Sequence, residues 1–175
     1  MYKRNVKYST TDYICGIIEV LNNNISWRKY NGKIDGRVLN NKHNYYSKIG
    51  VYDELYKTNL KEYLLKNSKH TKYLSIDSTF IENKYATEGI GRNIYYKNKQ
   101  GIKVTSIVDV KGVPLAVNVS AGNIHDCKLF DRAINELKEY ENMICKKYFM
   151  ADKGYDSKTI RDTLRKTNNT KTKKQ

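Results

Sequence analysis

The chain has 175 residues and a formal net charge of +15, from 33 Lys and Arg against 18 Asp and Glu. That length allows one ordinary domain, or a small helical module joined to part of a larger one. The charge exceeds what solubility requires and favours a polyanionic partner, although a coding sequence rich in A and T, which also enriches Asn, Ile and Tyr, accounts for part of it.

The cysteines and apolar residues exclude several classes of protein. Cys15, Cys127 and Cys145 are odd in number and far apart, so neither a disulfide framework nor a structural zinc site is supported. We interpret them as small buried residues in a reducing compartment. No long apolar run is present, and we expect no signal peptide, no membrane span and an intracellular protein.

Residues 1–70 have helical periodicity. Ser9 and Asp12 form the pattern of a capping box, and an apolar face follows it. That face consists of Ile14, Ile17, Ile18 and Leu21. Further helices are predicted at 34–47, with Val38 and Leu39 inward, and at 52–66. Three short helices with a basic middle one fit a helix-turn-helix module, and a helical packing domain with a solvated polar face fits them equally well.

From residue 72 the pattern becomes that of strands. Strands are predicted at 73–81, 102–110, 113–119 and 147–151, with a hairpin turn at Lys111 and Gly112 and a loop over 83–100. One helix follows Asp126, and its apolar face is Leu129, Phe130, Ala133, Ile134 and Leu137. A last short helix follows Ser157. The tail, 168–175, contains only Asn, Thr, Lys and Gln and is predicted to be disordered.

Two aspartates, Asp77 and Asp152, each end a short apolar run. An acid at the mouth of a buried strand is costly unless something pairs with it. If the two strands end side by side, a bridging divalent cation offsets that cost. Mg²⁺ takes carboxylate and phosphate oxygens, and paired metals suit in-line attack on phosphodiesters. We therefore predict a metal-dependent nucleic-acid site.

Five phrases in this order resemble the DDE transposases of the insertion-sequence type, which have a ribonuclease H-like core. They are Ile76-Asp77-Ser78-Thr79, Lys99-Gln100-Gly101-Ile102-Lys103, Val108-Asp109-Val110-Lys111-Gly112-Val113-Pro114-Leu115, Gly122-Asn123-Ile124-His125-Asp126 and Ala151-Asp152-Lys153-Gly154-Tyr155-Asp156. The resemblance covers about residues 34–166. It implies an α/β fold in which a helix-turn-helix-like N-terminal segment (1–70) precedes an incomplete ribonuclease H-like mixed sheet with flanking helices (71–167) and a polar tail (168–175).

The resemblance also implies a chemistry and a partner. Asp77 and Asp152 would be two acids of the catalytic triad, holding Mg²⁺ or Mn²⁺ ions that activate a water and later a DNA 3′ hydroxyl. Double-stranded DNA, as transposon ends and target, is the implied partner, and a homodimer is left open. The side chains assigned to DNA are Arg37, Lys42, His43, Lys97, Lys99, Lys103 and Lys153. For the lysines, a solvated face is an equal alternative.

Other acids and the lone histidine receive structural roles. His125, before a helix, is interpreted as a hydrogen-bonding residue, because two-metal sites need no general base. Asp109 is placed at a solvent-facing hairpin end.

The family's third acid, a glutamate on a helix after a fifth strand, has no counterpart, since Asp156 and Asp162 are the only acids after Asp152. We therefore expect a C-terminally truncated transposase that lacks that strand and leaves a sheet edge exposed. The alternative is a non-catalytic DNA-binding fragment that regulates a full-length transposase. A nuclease sharing only the fold is a third interpretation, which the Gly-Asn-x-His-Asp phrase disfavours.

Overall fold

The computed structural model describes residues 7–144, 148–166 and 171–174, which form two compact units that divide between Asn59 and Leu60. We predicted the boundary at residue 70. The units divide earlier, within a helix, because Leu60 and Leu64 are buried in the apolar core of the second unit. Residues 1–6, 145–147, 167–170 and 175 lie outside the described residues, and with them Cys145, Lys147 and part of the polar tail.

The first unit is helical. It contains α1 (Thr10–Asn22), α2 (Gly36–Lys48) and the beginning of α3 (Val51–Asn67). The predicted capping box is present: the Asp12 amide donates to Ser9 Oγ at 3.1 Å, and the Ser9 amide donates to Asp12 Oδ2 at 2.9 Å. A hydrogen bond from Lys33 Nζ at 2.6 Å, with those from Ser9, lowers the pKa of Asp12 to about 2.

The buried face of this unit differs from the predicted one. Ile17 and Leu39 are buried as expected, but Ile18, Leu21 and Val38 are exposed. The reason is Gly16, which lies on the contact face, where an added Cβ would come within 3.0 Å of the Leu39 side chain. A prediction based on the spacing of apolar residues does not count glycine as part of the buried face. Because Gly16 has no side chain, α1 and α2 can approach closely on that face.

The second unit is a mixed sheet with flanking helices, as predicted. Within the described residues its strands are β1 (Tyr73–Glu82), β2 (Gly91–Asn93), β3 (Lys99–Val108), β4 (Pro114–Ala121), β5 (Tyr148–Ala151) and β6 (Lys171–Lys174). β3 pairs antiparallel with β1, β2 and β4. β5 lies parallel to β1 on the other side of β1, and β6 lies parallel to β5.

Strand β6 corrects the prediction that the polar tail is disordered and that no fifth core strand is present. Lys171–Lys174 pair in register with Tyr148–Ala151 along the edge of β5. A strand joins an edge through backbone N–H and C=O groups, so the absence of apolar side chains does not prevent pairing. The predicted loop 83–100 likewise contains β2, whose residues pair with the start of β3.

Besides the end of α3, the described helices of this unit include α4 (Asp126–Leu137) and α5 (Lys158–Lys166). The apolar face predicted for α4 is confirmed, since its five members are all buried. Phe130 on that face packs edge-on against Phe149 of β5, with ring centroids 5.6 Å apart. This contact fixes β5, and therefore the residue that follows it, in the core of the unit.

Asp109 is not the solvent-facing residue that we predicted. It is only 4% exposed, and its carboxylate accepts hydrogen bonds from the Tyr63 hydroxyl at 2.5 Å and from the amides of Lys111 and Val113. The Tyr63 hydroxyl also lies 3.1 Å from His70 Nδ1. Burial, together with the hydrogen bond and charge of Asp109, raises the pKa of Tyr63 to about 12. Asp109 therefore closes the β3–β4 turn and ties it to α3.

Two composition-based expectations concern the cysteines and the membrane. Cys15 is exposed rather than buried, and Cys127 is partly buried. Over the described ranges, no helix has both the length and the apolar character needed to cross a membrane.

Replacing Phe149 with Ala should lower the free energy of unfolding by about 3–5 kcal/mol, because Phe149 is 1% exposed and its removal leaves a cavity against Phe130. Urea denaturation measures the change. The matched control is Val119→Ala on β4, where the side chain is 62% exposed and the loss should stay below about 1 kcal/mol. Equal losses in the two variants would contradict the packing described for β5.

Candidate active site

Asp77 lies within β1, and Asp152 follows the last residue of the neighbouring strand β5. The parallel pairing of β1 with β5 sets Leu74 opposite Phe149 and Ile76 opposite Ala151. One residue further along each strand come Asp77 and Asp152, on backbones separated by about 4.8 Å in a sheet. Both side chains are exposed. The two predicted acids are therefore neighbours across the β1–β5 pair and lie outside the apolar core, but only β5 ends there, because β1 continues to Glu82 in its pairing with β3.

Each of the two carboxylates is oriented by the backbone that follows it. The Ser78 amide donates to Asp77 Oδ1 at 2.7 Å, and the Lys153 amide donates to Asp152 Oδ1 at 2.6 Å. Among the described residues neither aspartate forms an ion pair. One oxygen of each carboxylate is thus used for orientation, and the negative charge of each is available to a cation.

A chain of hydroxyl groups joins the segments that carry the two acids. The Tyr155 hydroxyl lies 2.5 Å from Ser78 Oγ, which lies 2.6 Å from Thr105 Oγ1 on β3. Tyr155 and Thr105 are buried. Burial and the charges of Asp126 and Asp77 raise the pKa of Tyr155 to about 12, against the opposite effect of its hydrogen bonds. Tyr155 therefore keeps its proton at neutral pH and holds the turn after Asp152 against the residue after Asp77.

A third carboxylate, Asp126, lies against the same turn. Lys103 Nζ donates to Asp126 Oδ1 at 2.8 Å and to the Ile124 carbonyl at 2.9 Å, and the Lys103 side chain is only 12% exposed. A Cβ on Gly154 would come within 3.2 Å of Asp126 Oδ2, so glycine is what lets the turn pass so close to this acid. The Lys103–Asp126 pair therefore ties β3 and the start of α4 to the turn after Asp152.

The predicted DNA-binding lysines around the sheet fall into two groups. Lys97 and Lys153 are exposed, and the described residues offer neither of them an ion pair. Lys99 Nζ lies 2.7 Å from Glu82 Oε2, and Lys103 is directed inward. We predicted that Lys103 contacts a DNA phosphate. In the structure its ammonium group instead forms an internal ion pair with Asp126.

The predicted residues of α2 are placed differently from one another. Arg37 is 82% exposed and pairs with Asp35, whose carboxylate also caps the helix. Lys42 Nζ lies 5.1 Å from the ring centroid of Tyr13 and close to two further tyrosines. His43 is partly buried, stacks on Trp27 at 5.4 Å and lies 2.8 Å from the Tyr52 hydroxyl. Of the three, Arg37 presents the most accessible charge.

Four residues of this region received no role from the sequence: Ser78, Thr105, Asp126 and Tyr155. Ser78 and Tyr155 belong to the family-like phrases that contain Asp77 and Asp152, and Asp126 ends a third phrase, which begins at Gly122. Membership of these phrases was therefore the available signal. Thr105 carried no such signal. His125 has the structural role that we expected, since its Nδ1 accepts a hydrogen bond from the Cys127 amide at 3.3 Å and caps α4.

Replacing Lys103 with Met should destabilise the chain by about 1–3 kcal/mol, because it removes the charge partner of the partly buried Asp126. Chemical denaturation measures this loss. Lys128→Met, at an exposed position of α4, is the matched control and should be nearly neutral. A Lys103→Met variant as stable as the unmodified protein would show that the ion pair does not hold the turn.

Comparison with known proteins gives the following matches. The family model described as "Transposase DDE domain" matches residues 68–175. The catalytic domain of Mos1 mariner transposase is 16% identical with a TM-score of 0.39, covering 67% of this chain and 55% of that one. The Mos1 transposase paired-end complex with left transposon end is 11% identical, with a TM-score of 0.40 and coverages of 99% and 60%. The Mos1 Strand Transfer Complex is 11% identical, with a TM-score of 0.41, and the match covers 99% of this chain and 59% of that one.

The chain therefore spans between 55% and 60% of the length of these three transposase chains. A search of curated proteins found no match. The family model, by contrast, covers more than half of the chain, including Asp77, Asp152 and the whole sheet. The chain belongs to the transposase DDE domain family.

Proposed function

We propose that this chain provides the phosphodiester-cleaving and strand-transferring centre of a transposase, with Asp77 and Asp152 as its acids. The observation that carries the proposal is the parallel register of β1 and β5, which pairs Ile76 with Ala151, the residues directly before these two exposed aspartates. The family match supports the same chemistry. The strongly basic composition suits a DNA substrate, whose phosphates bind Lys and Arg with release of counterions.

The donor set fits a hard divalent cation, Mg²⁺ or Mn²⁺. Such ions prefer carboxylate oxygens together with substrate phosphate. In Asp77 and Asp152 the following amide donates to Oδ1, and no amide among the described residues donates to the other oxygen. When bound, the cation would lower the pKa of a water and neutralise charge on the phosphorus. The carboxylates would hold it where β5 ends beside β1.

The other residues of the site would position these carboxylates. The hydroxyl chain of Tyr155, Ser78 and Thr105 would keep β1 and the turn after β5 at a fixed separation, which matters because catalytic geometry tolerates errors of less than about 1 Å. Lys153, exposed next to Asp152, would contact a DNA phosphate near the reacting bond. Lys103 and Asp126 would support the turn from behind.

A second candidate function is regulation of a full-length transposase by DNA binding without catalysis. The observation in its favour is that, in the part of the chain that the structure describes, no group of three His, Cys, Asp or Glu side chains is arranged to hold a metal ion. Two carboxylates alone bind a divalent cation weakly. We therefore propose that this chain by itself does not carry out strand transfer, even if its DNA-binding capacity is intact.

If Asp77 and Asp152 hold a metal ion, we expect weak but specific binding of terbium, which is a hard cation. Nearby tyrosines such as Tyr155 sensitise terbium luminescence, which provides the signal. Asp77→Asn and Asp152→Asn should each remove most of the saturable signal. Asp131→Asn, at an exposed acid of α4, is the control and should leave the signal unchanged. An equal signal in all three variants would place metal binding elsewhere on the protein.

A cleavage assay separates the two candidate functions. Supercoiled plasmid and short duplexes are incubated with the protein and Mg²⁺ or Mn²⁺, while DNA binding is measured on the same samples. Binding without nicking or joining is the result that we expect from this chain alone. Robust strand transfer that disappears in Asp77→Asn would show that its residues suffice for catalysis.

Duplex binding should depend steeply on salt, since each phosphate contact contributes a slope of about 0.9 in log K against log salt. Replacing the exposed Lys97 and Lys153 together with Ala should therefore lower the slope by about 2, measured by anisotropy titrations at several salt concentrations. Lys61→Ala combined with Lys66→Ala removes the same charge from residues paired with Glu139 and Glu62 and should change it little. Binding insensitive to salt would mean that the positive charge reflects coding bias.

A further inference from the structure

The excursion between β1 and β3, residues 83–98, exposes large apolar and aromatic side chains. Tyr85 is 93% exposed, Tyr95 89% and Ile94 83%. Tyr96, beside them, is 49% exposed. A group of exposed large side chains, in contrast to a single scattered one, is typical of a binding surface. No role in the chemistry at Asp77 and Asp152 accounts for these side chains.

The backbone that carries these tyrosines is held by buried or partly buried amide groups. Asn83 Oδ1 accepts hydrogen bonds from the amides of Tyr85 and Ala86, and Asn93 Oδ1 accepts one from Tyr95. Asn93 itself is 5% exposed, and its Nδ2 donates to the Gly122 carbonyl at 2.8 Å. Ligand binding therefore does not need to order this backbone, which lowers the entropic cost of contacts made by the two tyrosines.

The underside of the excursion is packed onto the sheet. The ring of Tyr96 stacks on Phe80 of β1, with centroids 4.7 Å apart. Gln100 Nε2 donates to the Ala86 carbonyl at 3.2 Å. Tyr96 thus anchors the segment, whereas Tyr85 and Tyr95 point their rings away from any core. If all three tyrosines served only packing, we would expect Tyr85 and Tyr95 to be in contact with the sheet as Tyr96 is.

The charge around the exposed tyrosines is positive. Arg92 and Lys97 are exposed, and neither pairs with an acid among the described residues. Lys84 and Lys99 share Glu82 as their acidic partner. Surfaces that bind single-stranded nucleic acid typically combine exposed aromatic rings with cationic side chains. The bases stack on the rings, and the cations contact the phosphates.

A cleft extends from this surface to the turn that follows Asp152. Its volume is about 350 Å³, and its walls include Arg92, Ile94, Tyr95, Lys103, Asp126 and Gly154. Gly154 lies two residues after Asp152, in the turn that follows β5. A strand bound along Tyr95 and Arg92 would therefore extend toward the turn that follows Asp152.

We propose that the excursion binds an unpaired DNA strand, with Tyr85 and Tyr95 stacking on its bases and Arg92 and Lys97 contacting its phosphates. This inference rests on the proposed function for the identity of the substrate. The strand must be unpaired because, in a duplex, both faces of each base are covered by neighbouring bases. A hydrophobic protein partner would account for the tyrosines but not for the cations among them.

The test compares a labelled oligothymidine with a duplex of equal length by fluorescence anisotropy. Replacing Tyr85 and Tyr95 together with Ala should weaken binding of the single strand by roughly tenfold or more, since each stacked base contributes substantially to affinity. Duplex binding should change by less than about twofold. Tyr85→Phe combined with Tyr95→Phe keeps both rings and should restore single-strand binding, and circular dichroism checks that all variants fold.

Photocrosslinking gives a second readout. A strand containing 5-iodouracil should crosslink to a peptide that contains Tyr85 or Tyr95. Crosslinks elsewhere only, or equal single-strand affinity in the Ala and unmodified proteins, would overturn the inference. Normal duplex binding with no single-strand binding would overturn it while leaving the proposed function intact, whereas loss of both kinds of binding in the unmodified protein would contradict the proposed function as well.

Discussion

The parallel pairing of β1 with β5 is the interaction on which the rest of the candidate site depends. It brings together two aspartates that are far apart in the chain, because its register places the residue that follows β5 beside the middle of β1. Leu74, Ile76 and Phe149 hold the pair in the core, each less than 4% exposed. The apolar residues thus determine the register, and the register determines where the charges lie.

Two sets of polar contacts further fix the positions of the two aspartates. The Tyr155–Ser78–Thr105 chain crosses from the turn after β5 to β1 and β3, and the Lys103–Asp126 pair reaches the same turn from β3 and α4. Four elements therefore position the two acids. Because a buried charge without its partner is costly, the Lys103–Asp126 contact also makes this arrangement specific, since other packings of the turn would leave one of the two charges unpaired.

The sequence was most informative where a pattern reflects burial. The face of α4 was predicted correctly because five apolar residues recur at helical spacing and all of them enter the core. Asp77 and Asp152 could be singled out because each ends an apolar run. The face of α1 was predicted in part only, because the decisive contact is made at Gly16, a residue without a side chain.

Other features depend on contacts that composition does not encode. Strand β6 pairs through its backbone, so the Lys and Thr residues at 171–174 did not indicate a strand. The burial of Asp109 depends on Tyr63, which lies 46 positions earlier in the chain. The basic residues show the same effect, since Lys42 and Lys103 have the same charge as Lys97 but direct it toward tyrosines and an aspartate. Counting cations therefore overestimates how many face a substrate.

The separation of the paired segments along the chain has a kinetic consequence. Tyr155 and Ser78 lie 77 positions apart, whereas β3 and β4 are neighbours joined by a tight turn. Loop closure opposes long-range contacts more than local ones. The β3–β4 hairpin and its pairing with β1 should therefore form first, and β5 should dock late. Φ-values near zero at Phe149, beside higher ones in the hairpin, would show this order. In such a pathway the acids meet only at the end of folding, so partly folded chains carry no assembled centre.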